Sequence, residues 1–220
     1  MTRRIWAVVP VKETAAAKQR LAARLPAPAR QELALAMVEH VLEALAQVRE
    51  LAGVIVVTVD PAVVALAGRY GGIVSDAGAH DGHTGAVVTT GRRLAAEGHG
   101  MLTVPGDLPL LAPADIRQVL AAHGPAPAFT IVPARDLLGS NCIVMTPADA
   151  VPLRFGDDSY YPHLAAADAA GIAPTVVRCP GIELDIDTPE DLAAFETSAG
   201  DSRTHRLLAR WQAGAKDRRA

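Results

Sequence analysis

Short apolar runs that read as buried strands alternate along this chain with longer segments of helical period, and that alternation decides the fold class. Residues 5–9 are apolar and too few for a helix, which suits a strand covered on both faces. In residues 28–48 the apolar positions Leu33, Met37, Val38, Val41, Leu42, Leu45 and Val48 recur at spacings of three and four. They form one stripe of a helix. Further strands are read at 54–59, 73–74, 101–104, 129–132, 142–145 and 175–178, and further helices at 61–69, 85–97, 113–122 and 159–170. Thr188 opens a last helix as its N-cap, ahead of Pro189, Glu190 and Asp191. Such alternation predicts an α/β domain, a mainly parallel sheet flanked by helices. Ligands of these sheets sit beyond the carboxyl ends of the strands, so the loops leaving the strands are where chemistry is expected.

Composition removes several classes of partner. Half of the residues are hydrophobic and 20% are charged, which excludes a disordered chain. A net charge of −3 provides no basic field for nucleic acid. No stretch approaches the ~18 apolar residues of a membrane span. Cys142 and Cys179 are too few for a disulfide framework and too far apart for a zinc site. They read as buried thiols of a reducing compartment, so a soluble cytoplasmic protein is expected. Residues 1–197 read as one catalytic domain. Residues 198–220 are rich in Arg and poor in core material, and read as a loosely packed basic C-terminal tail, in which Leu207, Leu208 and Trp211 lie three to four apart on a candidate helix face that would pack back on the domain.

Four loops carry unusual side chains. The first, after the first strand, places Lys12, Lys18 and Arg20 within nine residues, a cationic loop suited to phosphates. It lacks the glycines and the Gly-Lys-Ser/Thr ending of a P-loop. The second is Val104-Pro105-Gly106-Asp107-Leu108-Pro109, with a carboxylate among apolar residues. That placement is costly unless a cation or good hydrogen bonds compensate it. In the third, Leu184-Asp185-Ile186-Asp187, both carboxylates point to one side of an extended segment, where a divalent ion relieves their repulsion. Capping of the next helix is the plainer role for Asp187. The fourth combines Gly139-Ser140-Asn141 with Arg154-Phe155-Gly156-Asp157-Asp158-Ser159, small donors suited to a carboxylate or phosphate. Ordinary turns are the alternative. Ser159 stands where a helix begins, and its free N–H groups are expected to face an anion. His80, His83, His123 and His163 lack the spacing of a zinc protease and read as surface or capping residues. No Gly-x-Ser-x-Gly elbow is present.

Taken in order, Ala7-Val8-Val9-Pro10-Val11-Lys12 with Lys18-Gln19-Arg20-Leu21, Gly106-Asp107-Leu108-Pro109, Arg154-Phe155-Gly156-Asp157-Asp158-Ser159 and Leu184-Asp185-Ile186-Asp187-Thr188-Pro189 resemble the 2-phospho-L-lactate guanylyltransferase family. That family includes the phosphoenolpyruvate and 3-phospho-D-glycerate guanylyltransferases of coenzyme F-420 biosynthesis. The resemblance implies a glycosyltransferase-A-like nucleotidyltransferase fold, GTP as donor and a phosphorylated three-carbon acid as acceptor. It implies Mg²⁺ or Mn²⁺ on Asp107, Asp185 and Asp187, with Lys12, Lys18 and Arg20 as catalytic and nucleotide-binding cations. Thr84 and Gly106 lie at the nucleotide, and Ser140, Asn141, Gly156 and Ser159 hold the acid. It also implies an unstable product that could be handed to the next enzyme of the pathway. Two stretches depart from the family pattern. Gly82-His83-Thr84-Gly85 stands where the family has Gly-Leu-Asn, near the nucleotide. Leu137 and Leu138 replace small residues in the acceptor loop. Other acceptors on the same fold (a molybdenum cofactor, cobinamide phosphate or a sugar phosphate) and a non-catalytic nucleotide-binding domain are the alternative readings.

Overall fold

Alternation of side chains along the first strand divides the core into two layers. β1 (Ile5–Pro10) sends Ala7 and Val9 to one side of the sheet and Val8 to the other, all fully buried. In this computed structural model, which describes residues 4–156 and 158–217, six more strands follow. They are β2 (Val54–Val57), β3 (Ile73–Ser75), β4 (Gly100–Thr103), β5 (Ala128–Pro133), β6 (Ser140–Thr146) and β7 (Pro174–Val176). The helices are α1 (Ala27–Ala46), α2 (Pro61–Arg69), α3 (Gly82–Ala96), α4 (Pro113–Ala122), α5 (Tyr160–Ala169), α6 (Pro180–Glu183), α7 (Pro189–Glu196) and α8 (Arg203–Asp217).

The strands form one seven-stranded sheet in the order β3-β2-β1-β4-β6-β5-β7. All neighbours are parallel except those of β6, which is antiparallel to β4 and to β5. The short connection from β5 to β6 has no room for a crossover helix, so this pair must be antiparallel. On one face α1, α2 and α4 deliver Leu42, Val63 and Ile116 to the core. On the other, α3 and α5 deliver Val87, Leu94, Tyr160 and Ala167. β2 lies to one side of β1 and β4 to the other, so the strand order reverses at β1. A crevice opens there between the carboxyl ends of β1 and β4, the usual ligand position in an open α/β sheet.

A third, smaller core lies beside that crevice. Leu21 of the β1 loop, Leu33 and Met37 of α1, Leu184 and Ile186 of the acidic segment, and Phe195 of α7 pack together with Leu207 and Leu208 of α8. The expected loose tail is therefore corrected in part. Residues 203–217 form a helix on α1, tied down by Arg203 to Glu43 at 2.9 Å and Arg210 to Glu32 at 2.9 Å. Its stretch of sequence is too polar overall to announce a core helix. Its face of Leu207, Leu208 and Trp211 packs into the third core. Residues 218–220 lie outside the described residues. Among the described residues, no helix is long and apolar enough to cross a membrane.

Leu207 is 2% exposed, so Leu207→Ala is expected to lower stability by about 2–4 kcal/mol through the cavity it leaves. Urea unfolding checks this, and a change within experimental error would mean that α8 does not contribute to the domain's stability.

Candidate active site

The loops leaving β1 and β4 converge on a cleft of about 770 Å³. Lys12, Lys18, Gly106, Asp107 and Asp187 line it, together with Val57 and Val59 at the end of β2 and Gly82 and His83 at the start of α3. Local chemistry explains why the first loop keeps its shape. Asp60 caps α2 by accepting from the N–H of Ala62 at 2.8 Å, and its second oxygen accepts from the N–H and hydroxyl of Thr14 at 2.7 and 2.6 Å. One carboxylate thus joins the β2–α2 turn to the cationic loop. Burial alone would raise the Asp60 carboxyl, but the hydrogen bonds from Thr14, Ala62 and Val63 hold it below its ordinary value. Farther along, Leu21 is fully buried in the third core, which anchors the other end of the loop.

Asp107, Asp185 and Asp187 each offer an oxygen, and the three lie within 4.8 Å of one another. The period-two reading of the acidic segment holds. Leu184 and Ile186 are buried in the third core while Asp185 and Asp187 share the opposite side. Capping is done by other groups, since Thr188 accepts from the N–H of Asp191 at 3.2 Å and Asp191 accepts from that of Thr188 at 2.9 Å. Lys18 was expected at phosphates. In the structure its Nζ lies 2.6 Å from Asp107 Oδ2 and 2.7 Å from Asp187 Oδ1. Burial opposes its charge, but the two carboxylates raise the ammonium pKa well above the ordinary value. Asp187 is driven down in turn, burial again opposing and Lys18 prevailing. Asp185 is pushed up to about 6, by burial first and then by the charge of Asp107. Asp107 Oδ1 is buried without a hydrogen-bond partner. An orphaned carboxylate oxygen among three carboxylates fits a divalent cation, which is hard and prefers oxygen ligands.

The residues expected at the acid form a second group behind the first. Asn141 donates to Asp185 Oδ1 at 3.1 Å and to the carbonyls of Ile182 and Glu183, so its amide holds a member of the acidic triad in place. Ser159 donates to Ser140 Oγ at 3.2 Å, and Ser140 Oγ lies 2.9 Å from His163 Nδ1. His163 Nε2 accepts from the N–H of Arg154 at 3.0 Å, which assigns the ring proton to Nδ1 and makes Ser140 its acceptor. His163, read from sequence as a surface or capping residue, is 1% exposed, and burial pushes its imidazole down to about 4. The expected free helix end is also corrected. The N–H groups of Ser159 and Tyr160 both donate to the carbonyl of Leu138, at 2.9 and 2.8 Å, and Pro162 has no N–H to offer. Leu137 holds that turn with φ of 63°, a left-handed conformation that strains a branched side chain. Gly156 is exposed, and an added Cβ there would meet nothing within 4 Å.

Thr84 belongs to neither wall alone. Its hydroxyl accepts from the N–H of Phe155 at 3.0 Å, while the His83 ring packs 4.3 Å from that of Phe155. Together they tie the start of α3 to the loop before Ser159. Gly106 is close-packed rather than simply bare, since a Cβ would come within 3.0 Å of Val38 and 3.2 Å of Val11. Sequence reasoning missed Asp60, Thr14 and the roles of His83 and His163. The Asp60-Pro61 pair at a helix start was the one local signal available.

Comparison with known proteins gives the family of the chain. Residues 5–213 match the family described as "Guanylyl transferase CofC like". A phosphoenolpyruvate guanylyltransferase of Rubrobacter xylanophilus is 40% identical over 200 residues, covering 89% of this chain and 95% of the relative. A 3-phospho-D-glycerate guanylyltransferase of Colwellia psychrerythraea is 32% identical over 186 residues, covering 84% of this chain and 88% of the relative. Among solved structures, a protein described as a nucleotide-diphospho-sugar transferase from Desulfovibrio desulfuricans G20 superposes with a TM-score of 0.71 at 18% identity, covering 96% of each chain. The fold is that of the glycosyltransferase-A-like nucleotidyltransferases. The chain belongs to the CofC-like guanylyltransferase family.

Removing the Asp60 charge tests the loop anchor. Asp60→Asn is expected to cost about 1–3 kcal/mol at neutral pH, the penalty for hydrogen bonds to a buried charge left poorly made. The folded carboxyl titrates below its unfolded value of 3.8. Its contribution is therefore present above that pH and lost as pH falls through the folded pKa. Denaturant curves of wild type and variant should converge in acid. A gap independent of pH would mean that the charge of Asp60 does not matter.

Proposed function

We propose that this protein transfers GMP from GTP to a phosphorylated three-carbon acid, with phosphoenolpyruvate the first candidate and 3-phospho-D-glycerate and 2-phospho-L-lactate the others, in coenzyme F-420 biosynthesis. The observation that carries the reading is the meeting of a cationic loop and an acidic triad on one cleft at the sheet's reversal point. The names of the relatives supply the choice of nucleotide and acid.

An oxygen of the acceptor's phosphate forms a bond to the α-phosphorus of GTP as the bond to pyrophosphate breaks. That phosphate is ionised at neutral pH, so no general base is needed. The problem is bringing two anions together. Asp107, Asp185 and Asp187 would hold a Mg²⁺ or Mn²⁺ ion, which would supply positive charge at that point. Lys12, Lys18 and Arg20 neutralise the triphosphate and the departing pyrophosphate. Gly106 and the α3 start at Gly82 to Thr84 border the nucleotide, where backbone N–H groups favour anions. Ser140 accepts from both His163 and Ser159, which leaves its own hydroxyl proton for the acid. Asn141 keeps Asp185 oriented. The cytoplasm, where both free thiols stay reduced, is the compartment this reading implies. A labile product would pass to the next enzyme of the pathway.

Pyrophosphate release should be measured for each of GTP, ATP, CTP and UTP with each of the three acids. GTP with one acid is expected to dominate, and Asp107→Asn should reduce that rate roughly a hundredfold or more while the fold survives. Near-normal release by the variant would remove the carboxylate from the chemistry. Gly156→Val has room to fold. It should raise KM for the acid several-fold while KM for GTP changes by less than about twofold, the pattern of a lost acid contact. Equal effects on both would place the acid elsewhere.

A further inference from the structure

Lys18 occupies an unusual place for a phosphate-binding lysine. Its side chain is 8% exposed and contacts two of the three clustered carboxylates, at 2.6 and 2.7 Å. Its backbone is left-handed, with φ of 54° and ψ of 44°, a strained conformation for a residue with a side chain. The chain around it keeps it there. The carbonyl of Lys18 accepts from the N–H of Leu21 at 2.9 Å, and Leu21 is buried. The carbonyl of Ala17 accepts from Arg30 at 3.3 Å. This geometry directs an ammonium into the middle of the acidic group. Lys12, on the same cleft, is exposed to solvent.

The consequence is a competition. Asp107 Oδ2 and Asp187 Oδ1, the oxygens bound by the ammonium, belong to the carboxylates that a divalent ion would need. Two cations sharing one small group of carboxylates repel each other. Without any cation, three carboxylates within 4.8 Å would repel as strongly. We propose that Lys18 is a resident counter-cation: it stands in for the divalent ion in the free enzyme and moves to a phosphate of the nucleotide when ion and nucleotide enter together. Four flexible methylenes give the ammonium the reach for that exchange. Free ion then binds weakly. The incoming triphosphate favours ion binding by offering Lys18 a new anionic partner, and the ion favours the triphosphate to the same degree. This inference rests on the reading of the triad as an ion site.

The test is Mn²⁺ binding, followed by electron paramagnetic resonance, to wild type, Lys18→Met and Lys18→Gln. Each is measured alone and with a GTP analogue that cannot be cleaved between the α- and β-phosphates. Circular dichroism and thermal melting confirm the fold. Without nucleotide, both variants should bind Mn²⁺ about tenfold or more tightly than wild type, because no charge-assisted hydrogen bond has to be broken first. Mn²⁺ should also raise their Tm more than that of wild type, while the analogue binds them more weakly. If a variant folds only with Mn²⁺, the concentration that folds it replaces the Tm comparison. Mn²⁺ affinity that is unchanged or weaker in the variants would overturn the exchange, because Lys18 and the ion would then not compete. Absence of Mn²⁺ binding by wild type even with the analogue would overturn the ion site itself, and the exchange with it.

Discussion

Three carboxylates held within 4.8 Å of one another repel, and a folded chain tolerates them only where positive charge is supplied. Here the nearest positive charge is the Lys18 ammonium, bonded to Asp107 and Asp187. Much of the molecule serves to bring these groups together. β4 ends in the loop that carries Asp107. The third core seats Leu184 and Ile186, which aims Asp185 and Asp187 at the cleft. The same core buries Leu21 and so fixes the loop that carries Lys18. α8, far from the cleft along the chain, completes that core through Leu207 and Leu208. A helix without a group in the site thereby helps determine the site's geometry.

The group around Ser140 is organised by neutral hydrogen bonds instead of charge. Burial keeps His163 unprotonated, and the N–H of Arg154 selects its tautomer. The imidazole then orders Ser140, which also receives Ser159. In a water-poor interior such a chain is rigid because each unmade bond carries a desolvation penalty. The β5–β6 turn completes this side. Its Leu138 carbonyl takes up two N–H groups at the start of α5, so the strain at Leu137 is compensated by satisfied backbone. Asn141 links the two sides directly, since its amide reaches Asp185. Thr84 and His83 make a further link, through Phe155. A change in the loop before Ser159 will therefore be felt at the start of α3.

Some of this was legible in the sequence. The stripe of α1, the cap at Thr188 and the shared side of Asp185 and Asp187 all follow from interactions that span only a few residues. The alternation of strands and helices gave the sheet and its ligand-bearing end. The same reasoning failed where partners are far apart in the chain. Lys18 bonds to carboxylates 89 and 169 residues away, so its sequence neighbourhood spoke only for a cationic loop. His163 carried no local signal separating a buried hub from a capping residue. For α8 the sequence offered the helix face of Leu207, Leu208 and Trp211, but the rest was read as tail because most of its surface is polar.

What the sequence determined by itself was therefore the kind of structure and the kinds of group available: an α/β sheet, a cationic loop after its first strand, carboxylates in two later loops, and small donors in a fourth. Periodicity, capping and turn chemistry are local, and a single chain displays them openly. The tertiary structure decided which of those groups meet. It placed a lysine among the carboxylates, an asparagine on Asp185 and a carbonyl across the start of α5. The physical reason is that ion pairs and buried hydrogen bonds depend on distance through space, and the order of strands in the sheet, not spacing along the chain, sets that distance.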